Sequence, residues 1–435
     1  MDIGIALLVL LSTMVIGIPI PLAFMASSIY LIFFAGYDPS FLIPYGYSKM
    51  NSIILLTIPL FIIAGALMDR GGIGAKLVSS VEKVVGRIKG GLGIATIVSC
   101  AVFGAVSGSS SATLSAIGGI MSPRLQESGY SKGFTASLIA SSGVLGILIP
   151  PSSLMILYAW IGNQSVLAAF LATTIPGIML VILFSVITHL YAKKDPNIRV
   201  YTKADYKAMA DEMKGKEKSL KDSAVPALIM PIIILGSIYG GILTPTEAAA
   251  ISVLYSLPVG FFIYKKLSLK TLKETLIQAG STTGVIMIML FAVMILSRLY
   301  ITEQLPQKIL GILTAVSDNR IVIMLMVNIF MIILGMLMDD VSGVLLATPI
   351  LLPIVTELGI SPIHFAAIVG VNLGMGNITP PTAPLLYLSG RICKAELKDM
   401  LKPTMILIIF AWLPTLFLVT YIPEISMFLP NLIMK

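Results

Sequence analysis

The hydroxyl-rich run Ser107, Gly108, Ser109, Ser110, Ser111 and, 230 residues later, the run Asp339, Asp340, Val341, Ser342 interrupt stretches that are otherwise apolar. A second interruption follows each. Ser142, Gly143 and Gly146 lead into Pro150, Pro151, Ser152 and Ser153; Gly335 precedes the acidic run, and Asn372, Gly374 and Gly376 lead into Thr379, Pro380, Pro381 and Thr382. Proline has no N–H to donate, so carbonyls one turn before Pro150 and Pro380 are left free. Hydroxyls, carboxylates and freed carbonyls are hard oxygen ligands of the kind a dehydrated Na⁺ needs. Half-helices restarting near Ser152 and Thr382 aim positive dipole ends at the membrane midplane, which suits an anion. Gly and Ser also serve tight helix packing in membranes, but duplication around a tandem-proline break favours binding. Burying Asp339 and Asp340 in a bilayer costs several kcal/mol unless they are paired or near water. Asp340 can alternatively be read as the cap of the following half-helix, and Asp69, next to Arg70, as a surface residue. No activated nucleophile or clustered His is visible, so hydrolase and transferase chemistry have no candidate residues.

The elements that position these residues come in two copies. An offset of 230 superposes Pro123 on Pro353, Glu127 on Glu357, Gly129 on Gly359, Gly146 on Gly376 and the tandem prolines on each other. Paired broken helices in two halves mark a transporter binding site. With 57% apolar and 11% charged residues and a mean hydropathy of +0.98, no polar shell could cover the chain, so its solvent is a bilayer. The N-terminal run lacks a basic leader region and a cleavage site and reads as membrane structure. Cys100, Cys393, His189 and His364 are isolated and imply no metal chemistry. Twenty-four methionines read as adaptable packing or lipid-facing bulk.

The longest charged stretch, Lys193 to Ser223, places the cytoplasm. Counting crossings outward from it gives scaffold helices over 1–69, a cytoplasmic amphipathic arm over 70–89, a hairpin and broken helix over 90–162 and a closing helix over 163–192. After the 193–223 linker the order repeats: scaffold helices over 224–300, a periplasmic arm over 301–320, a hairpin and broken helix over 321–390, and a closing helix with the C-terminus over 391–435. All Lys and Arg except Lys49, Arg298, Lys308, Arg320 and Lys435 then fall on the cytoplasmic side. The net charge of +8 is therefore a topology signal and not a nucleic-acid patch. Crossing parity opposes the two halves. The expected fold is an all-α polytopic membrane protein of inverted-topology repeats with two re-entrant helical hairpins and two broken helices.

Four segments together, Gly241 to Ala250 (GILTPTEAAA), Gly104 to Thr113 (GAVSGSSSAT), IPPS and TPPT, resemble the large membrane subunit of tripartite ATP-independent periplasmic (TRAP) transporters over essentially the whole chain. The resemblance implies an elevator-type fold of the ion-transporter superfamily in the bacterial inner membrane. It implies Na⁺-coupled import, with at least two ions, of an organic acid, sialic acid or a C4-dicarboxylate. A periplasmic substrate-binding protein would deliver the solute, and a separate small membrane subunit would brace the scaffold. Carried over by motif, the first Na⁺ site would use Ser107 to Ser111, Ser142, Gly143, Gly146 and Pro150. The second would use Gly335, Asp339, Ser342, Asn372, Gly374, Gly376, Thr379 and Thr382. Substrate would meet Ser152, Ser153, Thr382 and Asp340, and the soluble partner would dock at Lys49, Lys308 and Arg320. Two other classes stay open: a stand-alone Na⁺-coupled anion symporter, and a passive channel or membrane scaffold.

Overall fold

The computed structural model describes residues 2–85, 88–199 and 223–434, and among these every regular element is a helix. The first copy opens with α1 (Asp2–Val15) and α2 (Ile20–Ala35), split where Gly17 takes φ +89° and Pro19 sets the entry to α2. Next come α3 (Leu42–Met50), which the sequence did not announce, and α4 (Thr57–Arg70). The arm helix α5 (Ile73–Val85) buries Ile73, Leu77, Val78 and Val81 on one face against α6. Helices α6 (Gly91–Ser107) and α7 (Ser110–Glu127) form the first hairpin. The first broken helix is α8 (Lys132–Gly143), α9 (Leu145–Leu148) and α10 (Ser153–Ile161), bent by 45°, and α11 (Val166–Lys194) closes the copy. Most of the expected linker, residues 200–222, lies outside the described residues.

The second copy repeats the order with α12 (Val225–Tyr239), α13 (Pro245–Pro258), α14 (Leu269–Thr302) and the arm α15 (Leu305–Val316). The hairpin α16 (Arg320–Leu337) and α17 (Asp340–Glu357) precedes a broken helix, α18 (Pro362–Gly376) and α19 (Pro384–Cys393). Helix α20 (Leu397–Leu407) passes through a π-helical turn at Ile408–Trp412 into α21 (Leu413–Tyr421), and a further helix, α22 (Pro423–Ile433), packs on α11 and α18. Helices α7 and α17 begin and end 230 residues apart, and α8 and α18 begin 230 apart.

The two breaks are not the equal structures that their aligned prolines imply. The first spans four residues, Ile149 to Ser152, and the second seven, residues 377 to 383. Pro380, Pro381 and Pro384 leave three of five consecutive residues without an N–H, so a helix cannot restart before Pro384 occupies its first turn. In the first copy Ser153 and Leu154 keep their donors, and the helix resumes at once.

Equivalent residues of the two copies touch at two points. The Ser110 hydroxyl donates to the Asp340 carboxylate at 2.5 Å, and a Cβ on Gly374 would lie 2.4 Å from Val144 Cγ1. Residues exchanged by an internal two-fold meet only on its axis, so the axis runs through the hairpin tips and the crossing of the broken helices. The hairpins open toward opposite ends. At the end where the first opens, Arg124 pairs with Glu82 at 2.8 Å, Arg70 donates to Gln278 at 3.3 Å, Gly72 lies against Lys266 and Gly133 against the Asp399 backbone. At the end where the second opens, Tyr421 donates to the Ile321 carbonyl and Tyr158 to that of Pro362. Arg70, Arg124 and Lys266 therefore share the end at which the first hairpin opens.

The motif GILTPTEAAA is a helix start. Thr244 caps α13, Pro245 takes its first position, and Glu247 reaches back to the Thr244 N–H at 2.8 Å to complete a capping box. Thr244→Ala is expected to lower stability by about 1 kcal/mol. A thermal-shift assay in detergent checks this; Thr244→Ser should stay near the parent.

Candidate ion and substrate site

At the first tip, Gly108 takes φ +62°, so α6 ends and the chain turns back. Its carbonyl accepts from the Ser153 N–H at 3.0 Å and the Ser153 hydroxyl at 2.7 Å, which seals the tip against the break. The backbones are in direct contact: a Cβ on Gly146 would fall 2.5 Å from Thr113 Oγ1 and 2.7 Å from the Ser109 carbonyl oxygen, and one on Gly143 would fall 2.8 Å from Leu114 Cβ. Ser107 Oγ lies 2.9 Å from Thr113 Oγ1, and Ser109 Oγ lies 3.3 Å from Ser111 Oγ. The structure thus brings Ser107 to Ser111 together with Gly143, Gly146 and the residues around Pro150. Ser152 is occupied as the cap of α10, accepting from the Met155 N–H at 3.3 Å.

The second tip is held by different groups. Asp339, not Asp340, caps α17, accepting from the Ser342 N–H at 3.3 Å and from the Ser342 hydroxyl. Thr382 donates to the Met336 carbonyl, and Thr379 donates to the Met375 carbonyl at 2.6 Å. A Cβ on Gly376 would sit 2.6 Å from Gly335 Cα, so these two glycines are where hairpin and break meet. Gly374 lies apart from that contact, packed on Val144 and Trp412. Sequence reasoning missed Asn377. With its amide nitrogen toward the tip, it donates to the carbonyls of Met338 (3.0 Å) and Gly335 (3.3 Å), and its oxygen accepts from the Asp340 N–H (3.2 Å). The available signal was an asymmetry, since Asn377 stands where the first copy has Ile147.

Among the described residues several buried side-chain oxygens have no hydrogen-bond partner, and two of them, Ser142 Oγ and Asn372 Oδ1, stand at equivalent positions of the two copies. The Asn372 amide nitrogen is spoken for, donating to Asn328 Oδ1 and the Ile368 carbonyl, each at 2.9 Å. A buried oxygen without a donor costs about 1–3 kcal/mol, and one in each half, beside each break, fits a cation held by oxygen ligands. Accessibility differs between the halves: Pro150, Pro151 and Ser152 are buried, whereas Pro381, Thr382, Asp339 and Tyr387 are exposed. Ser111 is also exposed on the first tip. The open side of the site is therefore lined by hydroxyls, a carboxylate and a tyrosine.

The three basic residues expected to dock a partner have different immediate neighbours. Lys49 and Arg298 each lie 5.6 Å from the Tyr45 ring centroid. Lys308 lies 3.5 Å from Glu303, which accepts from the Tyr37 hydroxyl at 2.6 Å. Burial and the bond to Glu303 push the Tyr37 hydroxyl up to about 12, and the same bond holds the Glu303 carboxyl below its ordinary range. Arg320 instead starts α16 and lies in the electrostatic surroundings of His364 with Glu424.

Residues 5–425 match the family described as tripartite ATP-independent periplasmic transporter, DctM component. The chain belongs to that family. As a DctM component it is a multi-pass membrane transport protein and not an enzyme. It is 37% identical over 383 residues to the C4-dicarboxylate TRAP transporter large permease protein DctM of Pseudomonas aeruginosa, covering 87% of this chain and 86% of that one. Identity to the sialic acid TRAP transporter large permease protein SiaM of Vibrio cholerae is 32% over 383 residues, covering 88% and 87%. It is also 31% identical over 424 residues to the isethionate TRAP transporter permease protein DctMQ of Oleidesulfovibrio alaskensis; that match takes in 95% of this chain and spans 64% of the relative's length. Among solved structures, the YdaH transporter of Alcanivorax borkumensis, described as having an unusual topology, superposes with a TM-score of 0.61 at 13% identity, covering 87% and 86% of the two chains. That likeness establishes the shared fold.

Proposed function

We propose that this DctM component is the large membrane subunit of a Na⁺-coupled TRAP importer in a bacterial inner membrane. A periplasmic substrate-binding protein hands it an organic acid, and a separate small membrane subunit braces its scaffold helices. The residues of the two hairpins and breaks move solute and at least two Na⁺ as an elevator against that scaffold. The observation that carries the ion coupling is the equivalent pair of unpartnered oxygens, Ser142 Oγ and Asn372 Oδ1, one beside each tandem-proline break. Relatives named for C4-dicarboxylates, for sialic acid and for isethionate support an organic-acid solute, with a carboxylate in two of the three. A carboxylate would approach from the exposed side of the second break, beside Thr382 and Tyr387, with bound cations offsetting its charge, since the Ser153 and Thr382 hydroxyls are committed to the Gly108 and Met336 carbonyls.

Reconstitution tests the whole reading. With both partners present, an imposed Na⁺ gradient should drive accumulation of a C4-dicarboxylate or sialic acid, and omitting the binding protein should reduce uptake to background. Each Na⁺ crossing a 100 mV potential contributes about 2.3 kcal/mol to that accumulation. Thr379→Ala should shift the Na⁺ activation curve to higher concentration while the protein stays folded. If the purified chain alone imports free solute at the rate of the full system, a stand-alone symporter replaces this reading. Uptake that only equilibrates, whatever the Na⁺ gradient, would make the protein a passive channel.

A further inference from the structure

The two hairpin tips are held by separate sets of groups. Ser153 seals the first through the Gly108 carbonyl, while Thr382 and Asn377 seal the second through the carbonyls of Met336, Met338 and Gly335. Among the described residues one side-chain hydrogen bond joins tip to tip, from the Ser110 hydroxyl to Asp340 Oδ2 at 2.5 Å. Both partners stand at the first position of their helices, α7 and α17, 230 residues apart and on the internal two-fold axis.

Each partner is also tied to its own break. The Ser110 carbonyl oxygen lies 3.3 Å from where a Cβ on Gly143 would be, so Ser110 packs directly on the first broken helix. The Asp340 N–H donates to the Asn377 side chain at 3.2 Å, inside the second break. A continuous path therefore runs from Gly143 through Ser110 and Asp340 to Asn377. Ser110 is buried, so water competes little for its hydroxyl. A hydrogen bond to a carboxylate shielded in this way is among the stronger non-covalent links a protein makes.

We propose that Ser110 and Asp340 form a clasp on the two-fold axis that positions the two hairpin tips together, so that filling one cation site sets the geometry of the other. Both are positioning residues. The inference rests on the ion-coupled reading for what the clasp transmits, while the clasp itself stands on the contact.

Na⁺-dependent thermal stabilisation of the purified protein, without solute, and Na⁺ activation of uptake together supply the test. Ser110→Ala and Asp340→Ala should each raise the half-saturating Na⁺ about 10-fold and reduce the steepness of the curve to a Hill coefficient of about 1. The double variant should be no worse than either single one. Asp340→Asn, which keeps an acceptor oxygen for the Ser110 hydroxyl, should recover most of the shift in half-saturating Na⁺ that Asp340→Ala causes. Multiplying effects in the double variant, or an unchanged Na⁺ curve in Asp340→Ala, would overturn the clasp. A second measurement does not depend on Na⁺. In a Cys100→Ala, Cys393→Ala background, Ser110→Cys with Asp340→Cys should be joined by a short bifunctional thiol-reactive reagent in membranes, well above the Ser115→Cys with Asp340→Cys control. Cross-linking no greater than the control overturns the clasp even if Na⁺ has no effect on the parent. Absence of any Na⁺ effect on the parent, with cross-linking intact, overturns the coupling reading instead.

Discussion

Gly376→Ala is expected to destroy more function than removal of any single hydroxyl in the site. The added methyl would fall 2.6 Å from Gly335 Cα, 2.7 Å from the Gly335 carbonyl carbon and 2.9 Å from the Ile332 carbonyl oxygen. All three are backbone atoms of α16, which cannot rotate aside, so hairpin and broken helix must separate. Overpacking of this kind costs about 1–3 kcal/mol where side chains give way, and rigid backbone contacts place this site at the upper end. The expected result is a large fall in melting temperature and in folded yield, with uptake lost in what remains. Gly119→Ala is the control. It adds the same methyl inside α7, where nothing lies within 4 Å, and helix propensity there favours Ala by up to about 1 kcal/mol. Equal melting temperatures for the two variants would show that the tips are not packed backbone to backbone.

Trp412→Ala is expected to have the second largest effect. Trp412 is fully buried at the end of the π-helical turn, with its ring edge-on to Phe184 at 5.9 Å and its far edge 3.1 Å from where a Cβ on Gly374 would be. Deleting so large a buried ring costs about 3–5 kcal/mol in a core that cannot collapse around the void. Among the described residues the indole nitrogen has no hydrogen-bond partner, so the ring's contribution is packing and not polarity. Trp412→Phe should therefore recover most of the loss. The chain has two tryptophans, so in Trp412→Phe the emission comes from Trp160 alone and its unfolding can be followed separately. Similar melting temperatures for Ala and Phe at this position would refute the packing account.

The parts of this fold that the sequence made legible are those where local chemistry decides. Tandem prolines stop a helix wherever they stand, so both breaks could be placed, and the runs at Ser107 to Ser111 and Met338 to Gly343 could be read as hairpin turns. The Gly335 and Gly376 contact was foreseen only as membership of one site, because two glycines say nothing of each other until their helices are packed. Asp339 and Asp340 show the same limit. One caps a helix and the other crosses to Ser110, and nothing in two adjacent carboxylates assigns those tasks. Asn377 carries no repeat signal, because its counterpart in the first copy is Ile147.

The Ser110 and Asp340 contact also bears on how such a protein could have arisen. Two identical half-length chains associating about the same axis would present each residue to its own copy. They could place Ser against Ser there or Asp against Asp, and two carboxylates at that separation cannot both ionise. A hydroxyl facing a carboxylate at one point of a two-fold axis is open only to halves whose sequences differ there. Once such a pair is fixed, neither half retains a self-complementary surface at its centre. Duplication followed by divergence at the axis is then hard to reverse, and the repeats, though still superposable in helix order, are no longer interchangeable parts.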